Sequence, residues 1–354
     1  MKISHMIRRE DFYAINEKTL RRFYGDCGSG KRLYVYPELN AIVVSSPSPR
    51  VRRYLYTEYR VSGSPLKKAM VRLYVWASLH SHGLLSKRRL ELPNRADRDT
   101  LIYPCNKKYR VFDFAAETVS VIAKDGFPEE DLSREIDFRT RYAAPFIPPL
   151  LSVEEHGYTE KILDGYPVAR AGVRTKEFSE KAWQIWRAFA EPHSREISAA
   201  AYAERLRQES EQLFERLGQV QKAIPMDAAR AYMEELCRRI ANLEKPIPLT
   251  LSHGDLQPGN IWVGNRSECI WIIDWESYDE RSPFYDEATL FENIRQTERL
   301  RTYAASKDWR HTVVLAEDML FRLRELCHLP QQYGTEDFAG YFETVEGETR
   351  CLKN

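Results

Sequence analysis

The sequence predicts an α+β chain of two lobes, a small β-rich one and a larger helical one, with an extra region ahead of both. Three observations predict this. β-branched and aromatic runs bounded by turn residues fill residues 99–165. Apolar residues recur at helical spacing through much of 166–345. Among those helical stretches lies one loop and hairpin rich in glycine and acids, from His253 to Glu276. A chain of 354 residues, 43% hydrophobic, has apolar surface enough for two cores.

The elements follow in order. Residues 1–98 begin with a helical pattern around Glu17–Phe23, then strands at Leu33–Tyr36 and Ala41–Val44. Alternating apolar residues continue near Tyr54–Tyr59 and Met70–Trp76, and Leu92–Asp97 reads as a boundary. Whether this region folds separately or extends the next lobe stays open. In 99–165 the run Thr118–Ala123 reads as a strand ending at Lys124, Asp125 and Gly126. Pro128 to Asp131 then opens an acidic helix. Pro145, Pro148 and Pro149 break the chain after it. Gly157–Leu163 is another strand, with a hinge expected near Glu160–Gly165. In 166–345, helices are expected over Lys176–Ala190, Ala199–Leu217, Asp227–Leu243 and Val313–Leu326, with a further helical run from Glu287 to Leu300.

The loop carries the chemistry. Asp255 is followed five residues later by Asn260, and Asp274 closes the apolar run Ile270–Ile273. Ile261–Val263 and Ile270–Ile273 read as a hairpin turning at Gly264–Ser267, which would carry Asn260 and Asp274 to one cation. Phosphoryl transfer from a nucleotide needs such a set. One carboxylate orients the attacking hydroxyl, and hard oxygen ligands hold magnesium on the phosphates. Asn260 and Asp274 supply an amide oxygen and a carboxylate, which leaves Asp255 for the hydroxyl.

The pattern His253-Gly254-Asp255, four residues, Asn260, then Ile273-Asp274-Trp275-Glu276 resembles the aminoglycoside phosphotransferase and choline kinase superfamily. The resemblance is motif-specific over 253–286, looser over 100–252 and absent over 1–98. It implies a bilobal protein-kinase-like fold, Asp255 as catalytic acid/base, and Asn260 and Asp274 as metal ligands. It implies that His253 supports the loop and that Asp286 braces the active-site region. Many members have a second histidine where this chain has Gln257, which is given no role.

A kinase-like fold also needs a cation on the nucleotide's inner phosphates, paired with a helix glutamate. Lys124 at its strand end and Glu135 on the acidic helix fit that pair. Ile122, two residues before Lys124 on the same strand face, stands where the fold covers the adenine ring. The hairpin Tyr103–Tyr109 lacks the glycines of a phosphate loop. Gly25–Arg32 nearly matches a Walker loop, but Arg32 replaces the required hydroxyl and the flanking elements are in the wrong order, so it reads as a turn.

Composition bounds the rest. Six cysteines without paired spacing fit reduced thiols, and the histidines show no metal spacing. Trp183 and Trp186, at helical spacing, read as core. No run of 18 apolar residues and no apolar leader occur, so cytoplasmic residence is the default. Residues 50–98 hold twelve Arg and Lys against three acids, a net of +9 that suits an anionic partner. Residues 276–298 hold seven acids against Arg281 and Arg295, a net of −5 that suits a cationic substrate. A solvated face explains either stretch as well.

The expectation is therefore an ATP- and Mg2+-dependent O-phosphotransferase acting on a small metabolite, amino sugar or carbohydrate, with GTP open as an alternative nucleotide and the oligomeric state open. Two other readings remain. One is a kinase that modifies a protein or cell-surface polymer. The other is a non-catalytic nucleotide- or nucleic-acid-binding regulator, against which the filled positions Asp255, Asn260 and Asp274 argue.

Overall fold

The computed structural model describes residues 10–25, 31–58, 65–92, 96–105, 107–218, 226–306, 308–328 and 338–345. Most of the near-Walker turn (26–30), the centre of the expected boundary (93–95), Cys27 and Cys351 lie outside them. The chain divides into two compact units, residues 1–129 with 149–163, and residues 130–148 with 164–354.

The first unit is one antiparallel sheet of eight strands. They are β1 (Lys31–Tyr36), β2 (Ala41–Val44), β3 (Arg88–Leu92), β4 (Thr100–Pro104), β5 (Lys108–Asp113), β6 (Thr118–Ala123), β7 (Leu150–Glu154) and β8 (Gly157–Lys161). Their order is β3-β1-β2-β4-β5-β6-β8-β7. Successive side chains of a strand point to opposite faces, so a sheet covered on both sides needs apolar residues at every position. β1 and β2 obey this. Leu33, Val35, Ile42 and Val44 pack on one face with Leu20 and Tyr24 of the helix Glu10–Tyr24. Tyr34, Tyr36, Ala41 and Val43 pack on the other with Val51, Leu55, Val75 and Leu79.

Those last four residues correct the reading of 54–59 and 70–76. Among the described residues the alternating stretches are helices, Pro49–Glu58 and Pro65–His80, not strands. The N-terminal region does not stand apart from the next lobe, because Ile42 of β2 pairs with Ile102 of β4. The chain passes from the first unit to the second between Glu129 and Glu130 and again between Leu163 and Asp164, the latter inside the stretch expected as a hinge.

The second unit is mainly helical, and the expected β-rich then helical α+β order is borne out. Its helices include Glu130–Arg141, Thr175–Ala190, Ala199–Gly218, Met226–Ala241 and Trp309–His328, close to the spans read from apolar period. The helix bearing Glu135 belongs to this unit, where Phe138 stacks on Trp275 at 4.1 Å. Two small sheets complete it. β10 (Arg195–Ile197), β11 (Ile247–Ser252) and β14 (Asp279–Arg281) form one, and β9 (Gly165–Pro167), β12 (Ile261–Gly264) and β13 (Ile270–Ile272) the other.

The run Glu287–Leu300 is not one helix. Pro283–Glu287 is α-helical, Ala288–Glu292 widens to a π turn, and Asn293 takes the left-handed conformation at φ 55° before Thr297–Ala304 resumes. Asparagine tolerates that conformation better than most residues, so the chain turns there.

The helical core encloses a buried acid. Glu317 accepts hydrogen bonds from the Ser282 N–H at 2.6 Å, the Ser282 hydroxyl at 2.7 Å and the Tyr202 hydroxyl. Burial nevertheless pushes its carboxyl up to about 7 from an ordinary 4.5. The folded chain thus holds this proton at pH values where the unfolded chain has lost it. The group's cost to stability is absent below the unfolded value and is complete above about pH 7. In denaturant titrations, wild type should lose roughly 2–3 kcal/mol relative to Glu317→Gln between about pH 5 and about pH 8. Identical pH slopes for the two proteins would contradict this.

Candidate active site

The loop between β11 and β12 is built on one buried carboxylate. Asp286 accepts from the His253 N–H at 2.8 Å, the Gly254 N–H at 3.0 Å, the Trp186 indole at 3.0 Å and the Ser252 hydroxyl at 3.1 Å. A buried charge persists when donors surround it, and the loop's main chain supplies two of these four. Gly254 has to be glycine. Its φ is +79°, and a Cβ there would overlap the Ser277 carbonyl oxygen.

His253 is fully buried and its tautomer follows from its partners. Nε2 lies 3.0 Å from the Ile273 carbonyl, which can only accept, so Nε2 carries the proton. Nδ1 is then the acceptor for the Asp255 N–H at 3.2 Å. The imidazole ties the loop to the end of β13 and holds Asp255.

Asn260 has the same kind of logic. Its amide nitrogen lies 2.9 Å from both the Asp255 carbonyl and the Asp255 Oδ2. Both partners are acceptors, so the nitrogen must face them and Oδ1 is turned away. Hairpin register sets Asn260 opposite Ile273, the residue before Asp274. Ile261 pairs with Ile272, and the Ile273 N–H donates to the Asn260 carbonyl at 3.0 Å, so Asn260 and Asp274 both border the hairpin's open end. Asp274 sits in the left-handed region at φ 72°, which aspartate tolerates better than most side chains.

Burial pushes the Asp255 carboxyl above its ordinary range. The Arg295 guanidinium pulls it back, and the like charge of Asp274 adds to the rise. Two mutually repelling carboxylates beside an outward amide oxygen make a hard-oxygen donor set, and this donor set fits magnesium.

Sequence reasoning missed three contributors. Arg295 lies 3.6 Å from the Asp255 carboxylate, donates to the Gly254 carbonyl at 3.1 Å, and is anchored by Asp318 at 2.7 Å and the Phe321 ring at 3.6 Å. It stands two residues after Asn293, whose left-handed backbone ends the π turn. Its one sequence signal was being one of two cations in an acidic stretch. Gln257 donates to the Asp255 Oδ2 at 3.0 Å. Trp186 is core, as read, but its indole also serves Asp286.

Two acids of the stretch 276–298 are neutralised by arginines from outside it. Arg324 holds Asp279 at 2.8 Å, and Arg195 grips both Glu280 oxygens at 2.6 and 2.7 Å. Burial works against ionisation of Asp279, yet Arg281 and Arg324 prevail and keep it at about 2.

The residues expected to bind nucleotide divide between the units. Lys124, in the first, is buried, donates to the Cys105 carbonyl and lies 4.8 Å from the Tyr109 ring centre. The following Asp125 is gripped by the N-terminal helix through Arg22 at 2.5 Å and Lys18 at 3.0 Å. Ile122 packs in the cluster with Leu33, Val35 and Tyr109. Glu135, in the second unit, is buried and lies 3.4 Å from Arg139. No cysteine-paired or metal-binding His, Cys, Asp and Glu cluster occurs among the described residues.

Residues 168–325 match the phosphotransferase enzyme family APH. The resemblance read from His253 to Asp286 falls inside this segment and is thereby borne out. Solved structures with a similar chain trace include an ethanolamine kinase from Plasmodium vivax, 15% identical with a TM-score of 0.48, covering 86% of this chain and 95% of that one. A choline kinase from Streptococcus pneumoniae is 14% identical at a TM-score of 0.46, covering 72% and 91%. An aminoglycoside phosphotransferase complexed with gentamicin is 16% identical at 0.44, covering 70% and 89%. Likeness at such values says nothing of substrate. A search of curated proteins returns no match.

Replacing Asp286 by alanine would orphan four donors in the core. The expected loss is about 3 kcal/mol or more of unfolding free energy, read by denaturant titration. A variant within about 0.5 kcal/mol of wild type would show that the loop is held by other means.

Proposed function

We propose that this chain is an ATP- and Mg2+-dependent O-phosphotransferase acting on a hydroxyl of a small metabolite, amino sugar or carbohydrate. The observation that carries the proposal is the orientation of Asn260. Its nitrogen is committed to Asp255, so its oxygen is directed away from that carboxylate at the hairpin end that also bears Asp274.

Asp255 is proposed as the base. Its carboxylate takes the proton of the acceptor hydroxyl while that oxygen bonds the terminal phosphorus. The bond from that phosphorus to the bridging oxygen breaks, and ADP leaves. Arg295 and Gln257 hold the carboxylate in place, and His253 fixes its backbone. Asn260 and Asp274 would hold magnesium, which supplies neutralisation of the phosphate charge when bound. Lys124 is proposed to neutralise the inner phosphates and Glu135 to orient it. Ile122 is proposed to border the base.

Purified chain incubated with ATP and magnesium should release ADP when offered the right member of a panel of amino alcohols, amino sugars, sugars and nucleosides. With that acceptor, Asp255→Ala should lower turnover about a hundred- to ten-thousandfold while leaving nucleotide affinity unchanged. Lys124→Ala should instead raise the KM for ATP. Undiminished turnover in the Asp255 variant removes it from the chemistry, and an unchanged ATP dependence removes Lys124.

A further inference from the structure

The helix Pro65–His80 is apolar on two opposite faces. Val71, Val75 and Leu79 face inward onto β1 and β2. On the opposite side Leu66, Met70, Leu73 and Trp76 stand in solvent, Leu73 at 64% and Trp76 at 52% exposure. The turn that follows adds Leu84 at 82% and Leu85. A helix that is apolar all round is normally buried, and a contiguous exposed apolar patch marks a binding surface.

The surroundings of this face are cationic. A cavity of about 540 Å³ beside it is lined by Arg52, Arg53, Tyr56, Arg72 and His80, among others. Arg53 and Arg72 have no acidic partner among the described residues. Arg52 Nη1 lies 3.1 Å from His80 Nε2, and His80 Nδ1 lies 2.8 Å from the Trp76 carbonyl. That carbonyl can only accept, so Nδ1 carries a proton and Arg52 donates to Nε2. The cavity is therefore lined with donors.

A second copy of this chain is a poor occupant. A two-fold interface sets the same patch against itself, which would bring these arginines toward their own copies. A bilayer suits the face better. Protruding aliphatic tips and a tryptophan enter the boundary between headgroup and acyl chain without needing a complementary groove. Flanking arginines meet the negative surface.

We propose that the outer face of Pro65–His80 and the turn after it dock on an anionic lipid surface, with a lipid phosphate taken by the Arg53 and Arg72 cavity. The full chain should co-sediment with vesicles of phosphatidylcholine and phosphatidylglycerol, and not with phosphatidylcholine alone. Binding should weaken with added salt. Arg53→Gln with Arg72→Gln should weaken it about 25-fold, roughly fivefold for each cation removed. Leu73→Glu should abolish it, as should the milder Leu73→Ser with Met70→Ser, with circular dichroism and thermal unfolding unchanged for these exposed positions. The proposal is overturned by absent binding at low salt, by equal binding to neutral vesicles, or by variants that bind like wild type. It is also overturned if the chain sediments as a dimer that Leu73→Glu splits, or if inorganic phosphate binds the cavity while vesicles do not.

Discussion

The Asp286 carboxylate is the fixed point of the second unit's central loop. A charge in a core needs donors, and the donors it recruits come from two places in the chain. Trp186 lies 100 residues earlier, while Ser252, His253 and Gly254 form the approach to the loop. Gathering two backbone N–H groups on one carboxylate forces the chain through a left-handed turn, which is why a glycine stands at 254. Once that turn is set, His253 has a single workable arrangement, with its two nitrogens facing a carbonyl and an N–H. Asp255 and the end of β13 are then fixed relative to each other. The electrostatics of the loop follow from a group that takes no part in the proposed chemistry.

The sequence made this loop legible because its parts are local. Asp255 and Asn260 lie within one bend, and the hairpin that brings Asn260 and Asp274 to its open end follows from two short apolar runs and a turn. Asp286 was legible only through family resemblance, since no local pattern says that an aspartate will meet a tryptophan a hundred positions away. Arg295 was not legible at all. Its approach to Asp255 depends on the π turn at Ala288–Glu292 and the left-handed Asn293, whereas the apolar period through 287–300 reads as one uninterrupted helix. Periodicity reports which residues face a core, and it is silent about a single residue that redirects the chain.

The first unit divides the same way. β1 and β2 were legible because a sheet covered on both faces writes unbroken apolar runs into its strands. The helices Pro49–Glu58 and Pro65–His80 were misread for related reasons. Tyr54 and Tyr56 alternate by chance within a helical turn. The second helix is apolar on two sides, so its inward stripe does not stand out from the rest. Nor does any residue announce that β2 will pair with β4, since the partners Ile42 and Ile102 are separated by both helices and β3.

Charge bias is the signal whose meaning changed most on folding. The acidic stretch 276–298 and the basic stretch 50–98 look alike as sequence, each a run of one sign. In the folded chain the first is met by Arg195, Arg205 and Arg324, all from outside the stretch, so Asp279 and Glu280 become structural ties. The cations at Arg53 and Arg72 meet no such partner among the described residues, and they flank an apolar face that also lacks a cover. Pairing removes most of a charge's reach, because an ion pair seen from a distance is only a dipole, while unpaired charge still attracts across a Debye length. What a charged segment can recruit is therefore decided by the counter-charges that folding brings to it. By that measure Arg53 and Arg72 keep an outward pull that Asp279 and Glu280 have lost.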